Sequence, residues 1–335
     1  MKTSGLVIGA MLLAAVVATV AAQSADGAAH RAAAIAAAGQ DHPGLLAALC
    51  PAPRPDTAPT PAAGRGQAAG RGRQGAGAAP VARGLPPREQ WHAEPVKVFD
   101  NLYWFGQTEY SVWAVTTSQG IIIIDTIFDY SVQDEVVDGM RKMGLDPTTI
   151  KYAIVSHGHG DHSGGAKLIQ DEFNAHVLLS AADWDLLDRS TGTRPKRDLV
   201  ITDGQTLTLG DTTLTMYITP GHTAGTVSTL IPVKDRGTPH VVAEWGGTLI
   251  GGLRTPEAFQ TYIDSAVRFR DIAKRVGADA IISNHTNYDG SKVKLPALLA
   301  RGPNDPHPYL VGSDVVQRYL TVAEECAKAG QADLR

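Results

Sequence analysis

"SHGHGDH", Ser156 to His162, sets three imidazoles and a carboxylate within seven residues and spaces them with glycines. Such groups are costly to bury unless they are paired or bound to a metal, so the run points to a cation site. The apolar stretch "IKYAIVSH" reads as a buried strand that delivers His157 to its end, where loops carry function. His157, His159 and Asp161 share one parity, so an extended loop turns the first two rings the same way. Gly158 and Gly160 are expected to supply backbone freedom between them. Asp161 and His162 are adjacent, point apart, and can serve a second ion. Zinc suits imidazole and carboxylate ligands, with an open position in catalytic sites.

Such a site needs partners from elsewhere in the chain. His222, in "YITPGHTAGT", follows one strand pattern, and His285, in "AIISNHTNYDG", follows another. Either alone reads as a satisfied polar residue. Together with Asp161 and the three motif histidines they offer a set of ligands that can meet on one rim. His30, His42, His92, His176, His240 and His307 lack that setting and are read as surface or structural residues.

Around the motif, "VFDNLYWFG", "YSVWAVTT" and "GIIIIDT" read as successive strands, and Ser131 to Met143 as a helix. After it come a helix over Gly164 to Asn174, the strand "AHVLLS" and the short helix "AADWDLLD". The second half echoes this order. A hairpin turns at Gly210-Asp211, and "TVSTLIPV" and "HVVAEWGG" continue the sheet. Thr255-Pro256 caps a helix with a stripe of Phe259, Ile263, Ala266, Phe269, Ile272 and Val276. "DAIISNH" is a strand, and "SDVVQRYLTVAEECAKA" a closing helix. Strands and then helices, twice over, predict two sheets face to face with helices outside.

The chain has 335 residues, of which 43% are apolar, enough for a large core. A formal charge of −4 speaks against a nucleic-acid partner. Residues 1–22 read as a secretory signal: Lys2 precedes an uncharged apolar run, and Val20 and Ala22 are the small residues before a cut at Gln23. The competing reading is an uncleaved anchor, because the run approaches bilayer-spanning length. After cleavage the protein is expected to be periplasmic or secreted, with no stable membrane association. Residues 23–50 form an Ala-rich arm with helical potential, Leu45, Leu46 and Leu49 sharing one face. Residues 51–88 are rich in Pro and Gly, poor in large apolar side chains, and predicted to be a disordered linker. Residues 89–335 are expected to make up the folded domain that carries the histidine motif. Cys50 and Cys326 are an even pair in an exported chain, which suggests a disulfide between the arm and the last helix.

"HGHGDH" matches the His-x-His-x-Asp-His signature of the metallo-β-lactamase superfamily, and "TPGHTAGT" is similar to its second histidine motif. The resemblance extends from Phe99 to Tyr288. It implies an α+β fold, a four-layer αββα sandwich, here behind a disordered N-terminal arm. It also implies two zinc ions per chain. His157, His159 and His222 would hold the first, and Asp161, His162 and His285 the second. Asp125, ending "GIIIIDT", resembles the family's strand-end acid and would support the ligands without ligating. Many superfamily hydrolases place a metal-bridging aspartate where "EWGGTLI" has Gly247, and some zinc β-lactamases place a cysteine ligand where Thr248 stands. This ligand set resembles the cysteine-free di-zinc β-lactamase subclass.

The implied activity is opening of a β-lactam amide by a metal-bound hydroxide that Asp161 orients. The substrate is a small molecule with a carboxylate, for which Thr248, Arg254, Ser283, Asn284 and Lys292 are candidate partners. Tyr110 and Trp113 are candidate pocket walls, Trp113 having equal claim to the core. Alternatives are the same chemistry on a lactone, a thioester or a sulfate or phosphate ester, and a non-catalytic zinc-binding module. A redox role with iron is the other alternative, against which the absence of a bridging carboxylate counts.

Overall fold

The computed structural model describes residues 26–50 and 85–334. The signal segment and most of the linker predicted from sequence lie outside the described residues. One sheet runs in chain order through β1 (Val96–Phe99), β2 (Leu102–Gly106), β3 (Ser111–Thr117), β4 (Gly120–Ile124), β5 (Ile150–Ile154), β6 (His176–Ser180) and β7 (Leu199–Ile201). The other contains β8 (Gln205–Leu209), β9 (Thr212–Ile218), β10 (Val227–Asp235), β11 (Thr238–Trp245) and β12 (Ala280–Ser283), ordered β12-β11-β10-β9-β8. The helices are α1 (26–38), α2 (Pro43–Leu49), α3 (Asp138–Lys142), α4 (Gly160–Ser163), α5 (Ala166–Phe173), α6 (Ala181–Asp188), α7 (Pro256–Arg275), α8 (Ser291–Leu299) and α9 (Ser313–Ala332).

The parity of the strand residues builds the layers. Ile122 and Ile124 of β4 face the other sheet, where they join Trp104, Trp113, Met216, Ile231, Val242 and Ile282 in the inter-sheet core. Ile121 and Ile123 face outward, against Val136, Met140, Ile169 and Trp184 of the helices on that side. A strand buried on both faces needs apolar residues at every position, which is why "GIIII" does not alternate. Across the molecule, Ala243 and Trp245 of β11 face α7 and α9 with Phe269, Tyr319 and Leu320. The result is the αββα sandwich of the metallo-β-lactamase fold.

Strand direction positions the site. β4, β5, β6 and β7 are mutually parallel. In the second sheet β9 and β11 both run antiparallel to β10, and β12 runs parallel to β11, so β9, β11 and β12 share a direction. Their carboxyl ends therefore open onto one rim, and every segment that carries a candidate ligand follows one of those ends.

The structure departs from the sequence expectations at several points. "VFDNLYWFG" is two strands, because Asn101 turns the corner and bonds across to β10, its amide donating to the Pro232 carbonyl and accepting from Lys234 N, each at 3.1 Å. Helix α8 was not anticipated. It contains Pro296 and buries only Ser291 and Leu295, so it has no apolar stripe to read. Val276 does not extend the stripe of α7, since the helix ends at Arg275 and Val276 is exposed. The Thr255 hydroxyl does cap α7, accepting from Ala258 N at 3.2 Å. Trp113 belongs to the core, and its Nε1 donates to the Ser283 carbonyl at 2.9 Å.

The N-terminal arm is helical over residues 26–38 and Pro43–Leu49 and packs on the domain, with Ala34, Ala38, Leu45 and Leu49 buried in the cluster formed with α7 and α9. Cys50 and Cys326 are joined in a disulfide, with Cα atoms 5.2 Å apart. A helical face made largely of alanine carries little hydrophobic contrast, so its burial shows only once its partner helix is in place. Among the described residues no helix is long and apolar enough to cross a membrane.

Candidate metal centre

The centre begins at Asp125, where β4 ends. This residue takes a left-handed backbone conformation, φ 64°, which aspartate tolerates better than most side chains. Its buried carboxylate accepts from Ser156 N at 2.7 Å, from Ser156 Oγ at 2.9 Å and from His162 Nδ1 at 2.8 Å. One side chain thus ties the end of β4 to both ends of the histidine motif. The motif bends through residues 156–159, His159 is extended and caps α4, and the helical turn that follows carries Asp161 and His162 toward His285. Neither Gly158 nor Gly160 has a positive φ. At Gly158 space is tight, since a Cβ there would lie 3.1 Å from the Asp183 carbonyl oxygen and 3.2 Å from Leu186 Cδ2.

His157, His159 and His222 each bring a nitrogen to within 4.8 Å of the other two. The anchoring hydrogen bonds decide which nitrogen faces inward. His157 Nδ1 donates to the Gly246 carbonyl at 2.9 Å, and His222 Nδ1 to the Leu249 carbonyl at 2.7 Å. Both acceptors are carbonyls, so these Nδ1 atoms carry the protons and the Nε2 lone pairs point into the cluster. His222 Nε2 lies 3.1 Å from His159 Nδ1. Burial lowers the pKa of all three rings, that of His222 to about 4 and that of His157 well below the ordinary value, so they are neutral near pH 7.

Asp161, His162 and His285 form the second cluster, again within 4.8 Å of one another. Asp161 Oδ2 lies 3.3 Å from His162 Nε2 and 3.8 Å from His285 Nε2. Burial opposes charge on His162, but Asp161 and Asp125 on either side of the ring raise its pKa to about 10. Burial also disfavours charge on Asp161, yet the His162 and His285 rings hold it well below the usual carboxylate range. His285 is lowered to about 3 by burial and by His162. The two clusters adjoin, with the His157 and His162 rings 4.2 Å apart.

These residues fit divalent cations. His157 Nε2 is fully buried and has no hydrogen-bond partner, and leaving such an acceptor unmade costs about 1–3 kcal/mol. His162 Nε2, equally buried, faces the Asp161 carboxylate at 3.3 Å. A metal ion would satisfy the first nitrogen, and in the second cluster it would replace the proton that His162 otherwise holds between two carboxylates.

Other candidates fall in different places. Tyr110 stands beside the second cluster, its ring 5.0 Å from that of His285, and burial pushes its phenol up to about 12. Ser283, Asn284 and Thr248 are sealed from solvent, with 0%, 1% and 2% exposure. The Asn284 amide donates to Ser156 Oγ at 3.1 Å and to the Gly246 carbonyl at 2.7 Å, which makes it part of the scaffold. Arg254 is exposed and donates to the Gly251 and Leu253 carbonyls, while Lys292 is paired with Glu109. At Gly247 a Cβ would lie 2.6 Å from Thr226 Cγ2 and 2.9 Å from His222 Cβ, so the position has no room for a carboxylate without rearrangement.

Sequence reading missed Asp183. Its buried carboxylate accepts from Gly158 N and Thr223 Oγ1, both at 2.8 Å, and from Gly225 N at 3.0 Å. It clamps the loop of His157 and His159 to the loop of His222. A signal was available: Ser180 caps α6 by accepting from Asp183 N at 3.3 Å, and the Ser-x-x-Asp spacing is close to that of a capping box. The Asp183 side chain is turned to the neighbouring loops. Glu244 on β11 was also missed. It is fully buried, and burial, with Asp125 nearby, holds its carboxyl well above the usual range.

The model of the metallo-β-lactamase superfamily matches residues 106–235. Among solved structures the chain is similar to a subclass B3 metallo-β-lactamase of Bradyrhizobium japonicum, at 26% identity and a TM-score of 0.61, covering 71% of this chain and 94% of that one. Among curated proteins it is similar to a nitric oxide reductase of Moorella thermoacetica, 22% identical over 215 residues, 58% of this chain and 49% of that protein. A hydroxyacylglutathione hydrolase of Acidiphilium cryptum is 35% identical over 81 residues, 24% of this chain and 30% of that protein. The chain thus spans half or less of the length of these two relatives.

Proposed function

The chain carries a metallo-β-lactamase superfamily domain, and from that premise we propose that it is an exported di-zinc hydrolase of β-lactams. The observation that carries the reading is the convergence of two three-ligand clusters, in the first of which the buried His157 Nε2 lacks a partner. His157, His159 and His222 would hold one zinc, and Asp161, His162 and His285 the other. Bound there, zinc supplies Lewis acidity and makes water acidic enough to attack a carbonyl near neutral pH. Asp161 stays ionised, and the carboxylate oxygen not facing the rings accepts a hydrogen bond from the attacking water. The Tyr110 phenol stays protonated and is a donor beside His285 for a substrate oxygen. Arg254 is the cation we assign to the substrate carboxylate: its Nη1 is held by backbone carbonyls but it has no carboxylate partner among the described residues, whereas Lys292 is paired with Glu109 and Ser283, Asn284 and Thr248 are enclosed. The β-lactam preference is supported by a ligand set with neither cysteine nor bridging aspartate, and by likeness to a subclass B3 enzyme.

A second reading, the same chemistry on a thioester, is favoured by the likeness to hydroxyacylglutathione hydrolase. A di-iron redox centre, to which the nitric oxide reductase likeness draws attention, is disfavoured by the crowding at Gly247. The test is turnover of nitrocefin, a homoserine lactone and a glutathione thioester, with zinc measured per chain. Chelator-reversible nitrocefin hydrolysis with two zinc ions is expected. Thioester turnover without nitrocefin turnover would move the conclusion to the second reading, and zinc uptake without any hydrolysis would leave a binding module.

A further inference from the structure

We propose that the disulfide-tethered segment 26–50 is a positioning element for His285, so that the second metal position depends on the N-terminal arm and the first does not. The inference rests on the metal reading of the site and adds a part of the chain to it. His285 rides on the loop 284–290. One side of that loop is held by the turn between β2 and β3: Ser111 N donates to the Asn284 carbonyl at 3.0 Å, and Thr286 Oγ1 to the Thr108 carbonyl at 2.6 Å. Another side is covered by α2. Gly44 faces Asn287 so closely that a Cβ would collide with the Asn287 carbonyl oxygen, an atom of the backbone that cannot step aside alone. Leu45 and Leu49 of α2 share a buried cluster with Tyr288, whose ring lies 4.9 Å from that of His285.

The arm is itself fixed at several points. His42 Nε2 donates to the Val315 carbonyl at 3.0 Å, and its ring meets Tyr319 edge-on at 5.3 Å. Cys50 closes the far end of α2 onto Cys326 in α9. Contact therefore runs from α9 through α2 to Asn287 and Tyr288, and from them to His285. The first cluster is anchored elsewhere, by Asp183 and by the carbonyls of Gly246 and Leu249. Supports of this kind around a ligand typically set metal affinity by about 10- to 100-fold.

The test compares Gly44→Val with Ala47→Val in the full chain. Ala47 lies on the exposed face of α2, so its variant places the same β-branched side chain in the helix without touching the loop, and its intrinsic helix-propensity cost is the larger of the two. Stepwise zinc affinity is measured by competition with a chromophoric chelator, and hydrogen exchange of residues 284–290 is followed in metal-free protein. In Gly44→Val one of the two binding steps should fall about tenfold or more, the other should stay within about twofold, and exchange in the loop should quicken. Ala47→Val should match the unmodified chain. Equal weakening of both steps, or an unchanged loop in a folded Gly44→Val, overturns the proposal. If Gly44→Val does not fold, the double variant Cys50→Ser/Cys326→Ser is judged by the same criteria. The exchange measurement involves no zinc, so the two failures separate. An unmodified chain that takes up no zinc overturns the metal reading, whereas unchanged exchange overturns the role of the arm.

Discussion

Two buried acids act on the centre from behind, and each serves a different half of it. Asp125 steadies His162, and Asp183 steadies the loops of His157, His159 and His222. Asp183→Ala should therefore weaken the first metal position by about 10- to 100-fold and leave the second nearly unchanged, as read by zinc stoichiometry under chelator competition. Asp183→Asn should give a smaller loss. In either amide orientation it turns an NH2 group toward a backbone N–H, so one of the two loops loses its acceptor while side-chain volume is kept. His159→Ala removes a nitrogen from the cluster and should cut hydrolysis by about a hundredfold or more, measured as kcat/KM. Equal activity with full zinc content would contradict the assignment. Of these residues the histidines and Asp125 were legible from sequence, because they stand in a recognisable motif or at a strand end. Asp183 was not, because its signal is that of an ordinary helix start.

At the scale of elements, strands with strong apolar patterns were readable and weakly patterned helices were not. Ile121 to Ile124 of β4 are buried on both faces, as is β5 from Ala153 onward, and their composition leaves little choice. Helix α8 and the alanine-rich α1 present no contrast between faces, so nothing local marks what they pack against, whereas α2 shows its buried face in Leu45 and Leu49. Burying α2 has a measurable consequence through His42. Desolvation lowers its pKa from 6.5 to about 4, and the neutral ring donates to Val315. Between those values the unfolded chain binds a proton that the folded chain does not. Stability is then lost as pH falls from 6.5 toward 4, by up to about 3 kcal/mol. Thermal midpoints measured across that interval should fall less steeply in His42→Gln, whose amide can keep the bond to Val315. Parallel slopes for the two proteins would show that His42 carries none of the effect.

For the whole molecule, the metal ions and the disulfide are expected to be the main sources of stability beyond the core. The Cys50–Cys326 bridge closes a span of 276 residues, and the double Cys→Ala variant should lose about 2–5 kcal/mol, seen in denaturant melts. Stripping zinc should lower the thermal midpoint reversibly, by an amount equivalent to about 4 kcal/mol for each site at which free zinc stands a thousandfold above the dissociation constant. A midpoint indifferent to chelation would mean that the clusters are not filled. Sequence alone determined the layered architecture, through the alternation of apolar residues, and the identities of the ligand candidates, because imidazoles at strand ends are local features. Tertiary structure alone decided that Asp183 clamps two loops, that Ser283 and Asn284 are enclosed, that Gly247 has no room for a side chain, and that the alanine-rich arm lies against the His285 loop. Each of these depends on atoms brought together from distant parts of the chain, and a pattern confined to neighbouring residues carries no record of them.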